Sequence, residues 1–397
     1  MRRAASALRL ALTGAADRAV LSTGRPAAPR GRVLVVRLDA IGDFILWLEA
    51  AKALRALYPR GERHMTLLAN RAWAELGERQ RIFDRVWPVN RDSLRYGAAY
   101  RFRTLRMIRR EGFDTVIQPT YSREHHLGDS VVRASGAPER VGSSGDLSNA
   151  SAAERRLGDG WYTRLVPAET GPLMELIRNA EFIRGLGVPG FRAALPSLAV
   201  GQDLPAGFVA AGYYVLFPGA GWDRRQWPVA RFAEMARRIH AATRWTGVVC
   251  GGAGDVRLAE ALARDAGVPV ETWAGRTSLA GLAAIVKGAR LLVGNETSAV
   301  HLAAAVSTPA VSITGGGHFG RFLPYQLEVE TDRPLPATVS RRMDCFGCNW
   351  RCVRDAPSDR PVPCIAGITV DDAWEAVGSI IAASGARRPV RRDRRGG

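Results

Sequence analysis

A single carboxylate, Asp43, stands where an apolar run passes through a short glycine-containing loop into an amphipathic helix. The run Val33–Val36 predicts a buried parallel strand, and residues 44–57 predict the helix. Ligands of open α/β sheets bind at the carboxyl ends of the strands. Asp43 is therefore either a working group in a ligand cleft or the N-cap of the helix. In either role the helix N-terminus should lower the pKa of this carboxyl and keep it ionised.

A second chemical feature is the loop PGAGWDRRQWP, residues 218–228, which follows the predicted strand YYVLF. Gly219 and Gly221 would let the backbone approach a ligand closely, and exposed amides near a helix N-terminus form an anion site. Arg224 and Arg225 add guanidinium groups, which pair bidentately with phosphate. The loop predicts a diphosphate site, and the alternative is an ordinary glycine-rich turn with surface arginines.

The segment GNETSAVHLAAAV places Glu296 at the end of a later predicted strand and Thr297 as the N-cap of a helix. Ser298 and the alanines keep one side of this helix slim. That shape suits close packing against a nucleotide, and it equally suits packing of the helix on the sheet. Gly315–Gly317 adds a flexible loop after the next strand. Three such loops at one sheet edge favour a ligand site over three separate coincidences.

Four cysteines, separated by two, three and eleven residues, lie near the C-terminus: Cys345, Cys348, Cys352 and Cys364. Four thiols that begin with CxxC fit a tetrahedral zinc or iron site, and a reducing compartment favours metal over disulfide. Such a site would be a structural clip on a long loop. The alternative is a packed loop in which the cysteines are incidental. We expect Cys250, at a strand end, to be buried.

Apolar runs that predict strands alternate with amphipathic stretches that predict helices along the whole chain. In the first half the predicted strands are 33–37, 65–69, 85–89 and 115–118, and the predicted helices are 44–57 and 101–111. In the second half the predicted strands are 213–217, 246–250, 290–293 and 309–313, and the predicted helices are 229–242, 255–266, 278–288, 298–306 and 370–383. The alternation indicates two parallel sheets.

A stretch rich in Gly and Pro, residues 185–212, separates the two halves and loses periodicity. We therefore predict an α/β protein with two Rossmann-like, doubly wound domains facing across a cleft. The predicted divisions are a basic N-terminal extension (1–30), a first domain (31–190), a second domain (205–385) and a basic disordered tail (386–397).

Most of the net charge of +18 lies at the two ends of the 397-residue chain. Residues 1–32 carry +6 and residues 386–397 carry +5, which leaves +7 for the body. The body has no interleaved stripe of aromatic and basic residues, so we predict no nucleic-acid partner. No apolar run approaches the roughly 20 residues of a spanning helix. The N-terminal segment is either a weakly helical extension or a basic surface helix on anionic lipid. The cysteine pattern favours the cytoplasm.

Four segments, taken in order, give the chain a likeness to a known family. The chain resembles glycosyltransferase family 9, the ADP-heptose:lipopolysaccharide heptosyltransferases of Gram-negative bacteria, in VLVVRLDAIGDFILWLEAAKALRALYP, FPGAGWDRRQWPVARFAEMA, AGRTSLAGLAAIVKGARLLVGNETSAVHLAAAVSTPAVSI and MDCFGCNWRC. The resemblance implies a GT-B fold. It also implies an acceptor-binding first domain, a nucleotide-sugar-binding second domain, and inverting transfer without a catalytic metal.

The resemblance assigns roles to particular residues. The Gly-Asp pair of the family falls on Gly42, on the acceptor side, and on Asp43, the general base. The basic residue before Trp-Pro, which contacts donor phosphates, falls on Arg225. The family's Asp-Thr-Gly-x-x-His, which lines the donor site, falls on Glu296, Thr297, Ser298 and His301. Here Glu replaces Asp and Ser replaces Gly, and His301 has the alternative of a packed, hydrogen-bonded residue.

An inverting transfer needs a base for the acceptor hydroxyl and positive groups for the departing diphosphate. Asp43 would supply the first, and Arg225 with the loop amides would supply the second. The partners expected from the resemblance are an ADP-sugar donor, an anionic lipid-linked lipopolysaccharide-core or other surface-glycan acceptor, and peripheral contact with the inner membrane. Two alternatives stay open: a GT-B enzyme with another donor or a protein acceptor, and a catalytically idle relative that binds an anionic polymer.

Overall fold

Residues 14–23, 31–201, 204–208, 211–354, 357 and 359–385 are described by a computed structural model. They form two compact α/β units. The first unit contains the described residues up to Pro196 together with Leu327–Val329, and the second contains the remainder. The division at Pro196 lies in the stretch rich in Gly and Pro. The ends of the predicted N-terminal extension (1–13 and 24–30) and the predicted C-terminal tail (386–397) lie outside the described residues.

The first unit is built on six parallel strands: β1 (Arg32–Arg37), β2 (His64–Asn70), β3 (Arg85–Val89), β4 (Thr115–Gln118), β5 (Glu139–Ser143) and β6 (Arg164–Val166). Their order is β3-β2-β1-β4-β5-β6. The helices are α1 (14–22), α2 (Ile41–Leu57), α3 (Ala74–Arg79), α4 (Arg91–Tyr96), α5 (Ala98–Glu111), α6 (Ser130–Ser135), α7 (Ala152–Asp159) and α8 (Glu175–Gly185), with a π-helical turn at His125–Asp129.

The second unit repeats this plan with strands β7 (Tyr213–Phe217), β8 (Thr246–Val249), β9 (Val270–Thr272), β10 (Leu292–Asn295), β11 (Ala310–Ile313) and β12 (Ala337–Val339). All are parallel, in the order β12-β11-β10-β7-β8-β9. The helices are α9 (Val229–Thr243), α10 (Val256–Ala266), α11 (Leu279–Gly288), α12 (Ser298–Ala305), α13 (Pro363–Ala366) and α14 (Val370–Ala383), with 3-10 turns at Asp223–Arg225 and Ala253–Asp255.

The buried parallel strands are the elements that the sequence predicts best. All eight predicted strands are present, although β10 is Leu292–Asn295 and not 290–293. Apart from the edge strand β3 they are largely buried, and a strand covered on both faces must be apolar at nearly every position. The prediction for the first helix is wrong at its start, since α2 begins at Ile41 and not at residue 44. Four further strands, β5, β6, β9 and β12, are short and carry polar or half-buried residues, so they lack the apolar run that identifies the others.

Part of the predicted N-terminal extension is a folded helix of the first unit. Within α1, Val20 is fully buried in the core formed by β1, β4 and their helices. Asp17 forms an ion pair with Arg101 on α5, with 2.5 Å between Oδ1 and Nε, and Arg101 is itself buried. Residues 14–22 are therefore a packed element and not a free basic tail. Within the described part of the chain, no helix is both long and apolar enough to cross a membrane.

The strand orders create one switch point in each sheet. In the first sheet the chain adds β2 and β3 on one side of β1 and then returns to add β4 on the other side, so that β1 and β4 are neighbours. In the second sheet β7 and β10 have the same relation. Loops at the carboxyl ends of such a pair diverge and leave a crevice for ligands. Asp43 follows β1, whereas Arg225 follows β7 and Glu296 follows β10.

Candidate active site

In the second unit, Asn295 joins the two loops at the switch point. Its side-chain Oδ1 accepts a hydrogen bond from the Trp227 amide at 3.0 Å, and its Nδ2 donates to the Pro218 carbonyl at 2.6 Å. The loop after β7 is thus fixed to the end of β10. As predicted, α9 begins directly after Pro228. Asn295 was not identified from the sequence, because a polar residue that ends an apolar strand does not reveal which loop it will bind.

Arg225 lies in the 3-10 turn of this loop and extends to the end of β10. Its Nη2 donates to the Glu296 carbonyl at 3.0 Å and lies 4.0 Å from the Glu296 carboxylate Oε2. Its guanidinium carbon lies 4.3 Å from the ring centroid of Trp350, which forms a cation–π contact. The Arg225 side chain keeps 20% of its surface exposed. Burial lowers the pKa of this guanidinium, and the adjacent Glu296 opposes the shift.

Glu296 is a buried carboxylate whose Oε2 has no hydrogen-bond partner among the described residues. Burial raises the pKa of Glu296 to about 7, and the charge of Arg225 only partly opposes this. Near neutral pH the carboxyl is therefore partly protonated. Arg225 consequently keeps a positive charge that a carboxylate 4.0 Å away neutralises only in part.

The residues after Glu296 form the start of α12. Thr297 is its N-cap, as predicted, and its hydroxyl accepts from the Ala299 amide at 3.4 Å. Ser298 is the first helical residue and is not one of the described residues with positive φ, so Ser in place of Gly strains nothing here. The N-terminus of α12 therefore adds a partial positive charge beside Arg225.

His301 is packed and hydrogen-bonded, which is the alternative given for it above. The imidazole is buried, and its Nδ1 lies 2.8 Å from the Tyr325 hydroxyl. The two rings stack with centroids 5.8 Å apart. Burial lowers the pKa of His301 to about 4, so the ring is neutral at pH 7. Its predicted place in the donor site stays a prediction.

The glycines of the predicted phosphate loops are explained mainly by packing. A Cβ on Gly219 would lie 2.5 Å from Oδ1 of Asp255, whereas a Cβ on Gly221 would meet open space. Gly315–Gly317 is buried beneath Trp350 and Phe346, whose rings occupy the space of the missing side chains. Aromatic side chains therefore pack over Gly315–Gly317, and the part of this loop in a ligand site stays a prediction.

In the first unit, Asp43 occupies the third position of α2 and not the N-cap. The N-cap is Ala40, which has no side-chain acceptor, and the Asp43 carboxylate Oδ2 accepts from the Ala40 amide at 3.2 Å. The N-cap alternative for Asp43 is therefore wrong in position, although the side chain does satisfy a free amide of the first turn. Gly42 precedes it in the same turn, and both residues are half-buried.

Arg37, at the end of β1, fixes the backbone that carries Asp43. It is fully buried, and its Nη2 donates to the Asp43 carbonyl at 3.2 Å. The guanidinium also pairs with Asp39 at 2.9 Å and lies 3.7 Å from Glu175 on α8. Burial raises the pKa of Asp39, and the charge of Arg37 opposes that shift. Arg37 was not predicted as a site residue, because it ends an apolar run that predicts a buried strand.

The four clustered cysteines line one pocket of the second unit, next to Trp350 and Gly316. The pKa of Cys364 is raised first by burial and then by the other three thiols. Within the part of the chain that the structure describes, no three His, Cys, Asp or Glu side chains are arranged to hold a metal ion. Zinc or iron at this cluster therefore stays a prediction. Cys250 is buried, as expected.

Comparison with known proteins assigns the family. Residues 101–344 match Glycosyltransferase family 9 (heptosyltransferase), which is well over half of the chain. The chain belongs to this family. Asp43 precedes the matched range, whereas Arg225 and Glu296 lie inside it. The protein is thus a glycosyltransferase of family 9, as the sequence motifs predicted.

Relatives and solved structures of family 9 agree with this assignment. Lipopolysaccharide heptosyltransferase 1 of Pseudomonas aeruginosa is 26% identical over 333 residues, which are 78% of this chain and 86% of that protein. A family 9 glycosyltransferase from Veillonella parvula superposes with a TM-score of 0.67 at 17% identity and covers 89% of this chain and 98% of its own. The E. coli heptosyltransferase WaaC with ADP-2-deoxy-2-fluoro heptose gives 0.61 at 20% identity, over 88% and 99%. The fold is GT-B, as predicted.

Replacing Glu296 with Gln in this family 9 protein should remove a pH-dependent loss of stability. A carboxyl with a pKa of about 7 when folded and 4.5 when unfolded stabilises the fold fully below pH 4.5 and progressively less as pH rises through 7. We expect the Glu296→Gln variant to match wild type at pH 4 and to exceed it at pH 8 by up to ~3 kcal/mol. Urea unfolding at both pH values measures this difference.

The control for this prediction is Glu260→Gln, which changes an exposed carboxylate on α10. His301 destabilises the fold as pH falls, because its pKa is lowered, and this opposite trend is common to wild type and variant. The difference between the two proteins therefore isolates Glu296. An equal pH dependence of wild type and Glu296→Gln would show that the buried carboxyl is ionised throughout.

Proposed function

We propose that this glycosyltransferase moves heptose from ADP-heptose to a lipopolysaccharide-core acceptor, with inversion at the anomeric carbon. The observation that carries the proposal is Arg225, held beside a protonatable Glu296 at the switch point of the second unit. The ligand named with the solved E. coli WaaC structure supports the donor. The name of the P. aeruginosa relative supports the acceptor.

In this proposal Asp43 is the general base. It removes the proton of the acceptor hydroxyl as that oxygen attacks the anomeric carbon, where positive charge develops. The bond from the Ala40 amide orients the carboxylate, and any carboxylate is a weak base towards a hydroxyl. A weak base suffices when proton transfer comes late, because the hydroxyl becomes acidic as the new bond forms. Arg37 supports this step through the Asp43 carbonyl.

The departing ADP carries the second charge that must be stabilised. Arg225 offers a planar guanidinium to the diphosphate oxygens, and the N-terminus of α12 adds its dipole. As negative charge grows on the leaving group, these fixed positive groups stabilise the transition state more than the ground state. Protonation of Glu296 strengthens the effect, since a neutral carboxyl does not compete with phosphate for the arginine.

The test of the proposed function is the Asp43→Asn variant assayed with ADP-heptose. Asn keeps an acceptor oxygen for the Ala40 amide, so the fold is preserved while the base is lost. We expect transfer to fall by at least ~10²-fold. ADP should still raise the melting temperature as in wild type, and more than UDP, GDP or CDP do. The matched control is Asp92→Asn, which changes a first-turn aspartate of α4.

Two results would contradict different parts of this proposal, namely the base and the donor. Full activity of Asp43→Asn would remove Asp43 as the base and leave the donor assignment intact. A wild-type protein that neither transfers heptose nor is stabilised selectively by ADP would remove the donor. Stabilisation by UDP, GDP or CDP instead would identify a family 9 member with another nucleotide.

We further propose that the enzyme works in the cytoplasm against the inner membrane, with its basic ends on anionic lipid. The support is the charge of the two ends, +6 over residues 1–32 and +5 over residues 386–397. Basic residues near an anionic surface each contribute about 1 kcal/mol of binding, and salt screens this attraction.

A truncation that keeps α1 tests the membrane proposal. Deleting residues 1–13 and 386–397 removes nine arginines but leaves Asp17, the partner of buried Arg101. We expect the full chain to sediment with phosphatidylglycerol vesicles at low salt and to be released at high salt. The truncated chain should not sediment, yet should turn over a soluble acceptor at the wild-type rate. Equal sedimentation of both chains would contradict the proposal.

We also propose that the four clustered cysteines bind one structural zinc or iron ion. Their spacing and their shared pocket support it. Protein purified without a histidine tag should contain about one metal per chain by mass spectrometry, and a chelator should lower its melting temperature. Cys352→Ser should lose the metal, whereas Cys250→Ser, which changes the buried cysteine elsewhere, should keep it. Metal-free protein that is insensitive to chelator would contradict the proposal.

A further inference from the structure

A backbone carbonyl and an aromatic ring together hold the Arg225 side chain. Its Nη2 donates to the Glu296 carbonyl at 3.0 Å, and its guanidinium carbon lies 4.3 Å from the ring centroid of Trp350. A guanidinium binds a phosphate with two parallel N–H groups, so its orientation decides the strength of the pairing. The indole face restricts that orientation, because a planar cation is attracted to an aromatic face and not to its edge.

The indole of Trp350 is itself fixed by a hydrogen bond and by packing against the backbone. Its Nε1–H donates to Nδ1 of His318 at 3.2 Å, and Nε2 of His318 lies 2.7 Å from Oδ1 of Asn349. Since Nδ1 accepts, Nε2 must carry the proton and donate to Asn349, which defines one neutral tautomer. The ring also rests on Gly315, where a Cβ would lie 2.6 Å from it. This arrangement leaves the indole little freedom to rotate.

The backbone at Trp350 is held in place by its loop. Asn349 and Trp350 have φ of 49° and 58°, a left-handed conformation that non-glycine residues adopt at a cost. Such a conformation persists only where the surroundings impose it. The amides of Gly347 and Asn349 donate to the carbonyls of Gly316 and Gly317 at 2.8 and 2.9 Å, which docks the loop on the buried triple glycine.

The clustered thiols enclose this part of the loop. Cys348 and Cys352 flank Trp350 at two residues on either side. Both line one pocket with Cys345 and Cys364, and the Gly316 amide donates to the Cys364 sulfur at 3.4 Å. The Cys364 sulfur thus contacts the Gly316 backbone on which the loop docks, and the other three thiols line the same pocket as the indole.

We infer that Trp350 is a positioning residue for Arg225, and that the cysteine loop (Cys345–Cys352) sets the affinity of the donor diphosphate through it. The inference rests on the proposed function, because it takes Arg225 as the diphosphate ligand. Trp350 and the cysteine loop thereby gain a role in donor binding that the proposed mechanism does not include. The loop acts indirectly through Arg225, since none of its own groups needs to contact the donor.

The experiment compares Trp350→Leu with Trp350→Phe in the full chain and measures ADP binding by calorimetry. Leu keeps apolar bulk but removes the aromatic face, and we expect ADP to bind about tenfold more weakly, which is about 1.4 kcal/mol. Phe restores the face and should recover most of the affinity. The Michaelis constant for the donor should rise in Trp350→Leu while kcat changes less. Trp374→Leu, which removes an indole from α14, is the matched control.

A double-mutant cycle tests the loop. Cys352→Ser should weaken ADP binding in the same direction as Trp350→Leu. The double variant should be no weaker than Trp350→Leu alone, because both changes act through one contact. Additive losses would overturn the role of the loop.

Two further outcomes test whether Trp350 positions Arg225. Wild-type affinity in Trp350→Leu, or equal losses in Leu and Phe variants, would overturn its positioning role. Failure of wild type itself to bind ADP would instead refute the proposed function.

Discussion

The switch point of the second unit depends on one electrostatic constraint, the placing of Arg225 and Glu296 side by side in a poorly solvated crevice. The two residues are far apart in the chain and meet because β7 and β10 are neighbours at the switch point. Burial of a carboxylate is costly, and it raises the pKa of Glu296 to about 7. The guanidinium cannot respond in the same way, because it keeps its proton at any physiological pH. The pair therefore carries net positive charge, which suits an anionic ligand.

Glycines were weaker guides to this site than charged residues. Gly219 and Gly315–Gly317 indicate close approach of another group, and the structure shows that the approaching groups are Asp255, Trp350 and Phe346. A glycine indicates that a Cβ would not fit at that position, but it does not indicate which group occupies the space. Arginine next to a helix N-terminus is more informative, because its charge restricts the ligands that it can accept.

The sequence was most reliable where one local property decides the structure. Buried parallel strands must be apolar, so β1, β2, β7 and β11 were identified from short runs of letters. The start of α2 was missed because its N-cap, Ala40, has no side-chain signal. Arg37, Asn295 and Trp350 were missed for different reasons. Asn295 and Trp350 act through partners distant in the chain, and such contacts become visible only when the strand order is known. Arg37 acts on the nearby Asp43 carbonyl, but a single charged residue at the end of an apolar run gives no sign of that contact.

Arg37 in the first unit and Arg225 in the second differ in their surroundings, and this difference separates a structural role from a binding role. Arg37 is the last residue of β1 and pairs with Asp39 while lying near Glu175, so its charge is compensated within the protein and its side chain is fully buried. Arg225 has a partner that protonates near neutrality, and one fifth of its side-chain surface is exposed. A compensated and inaccessible cation fixes a loop, whereas an accessible and poorly compensated one remains able to bind phosphate. The same residue type therefore supports Asp43 in one unit and, in the proposed function, receives the donor in the other.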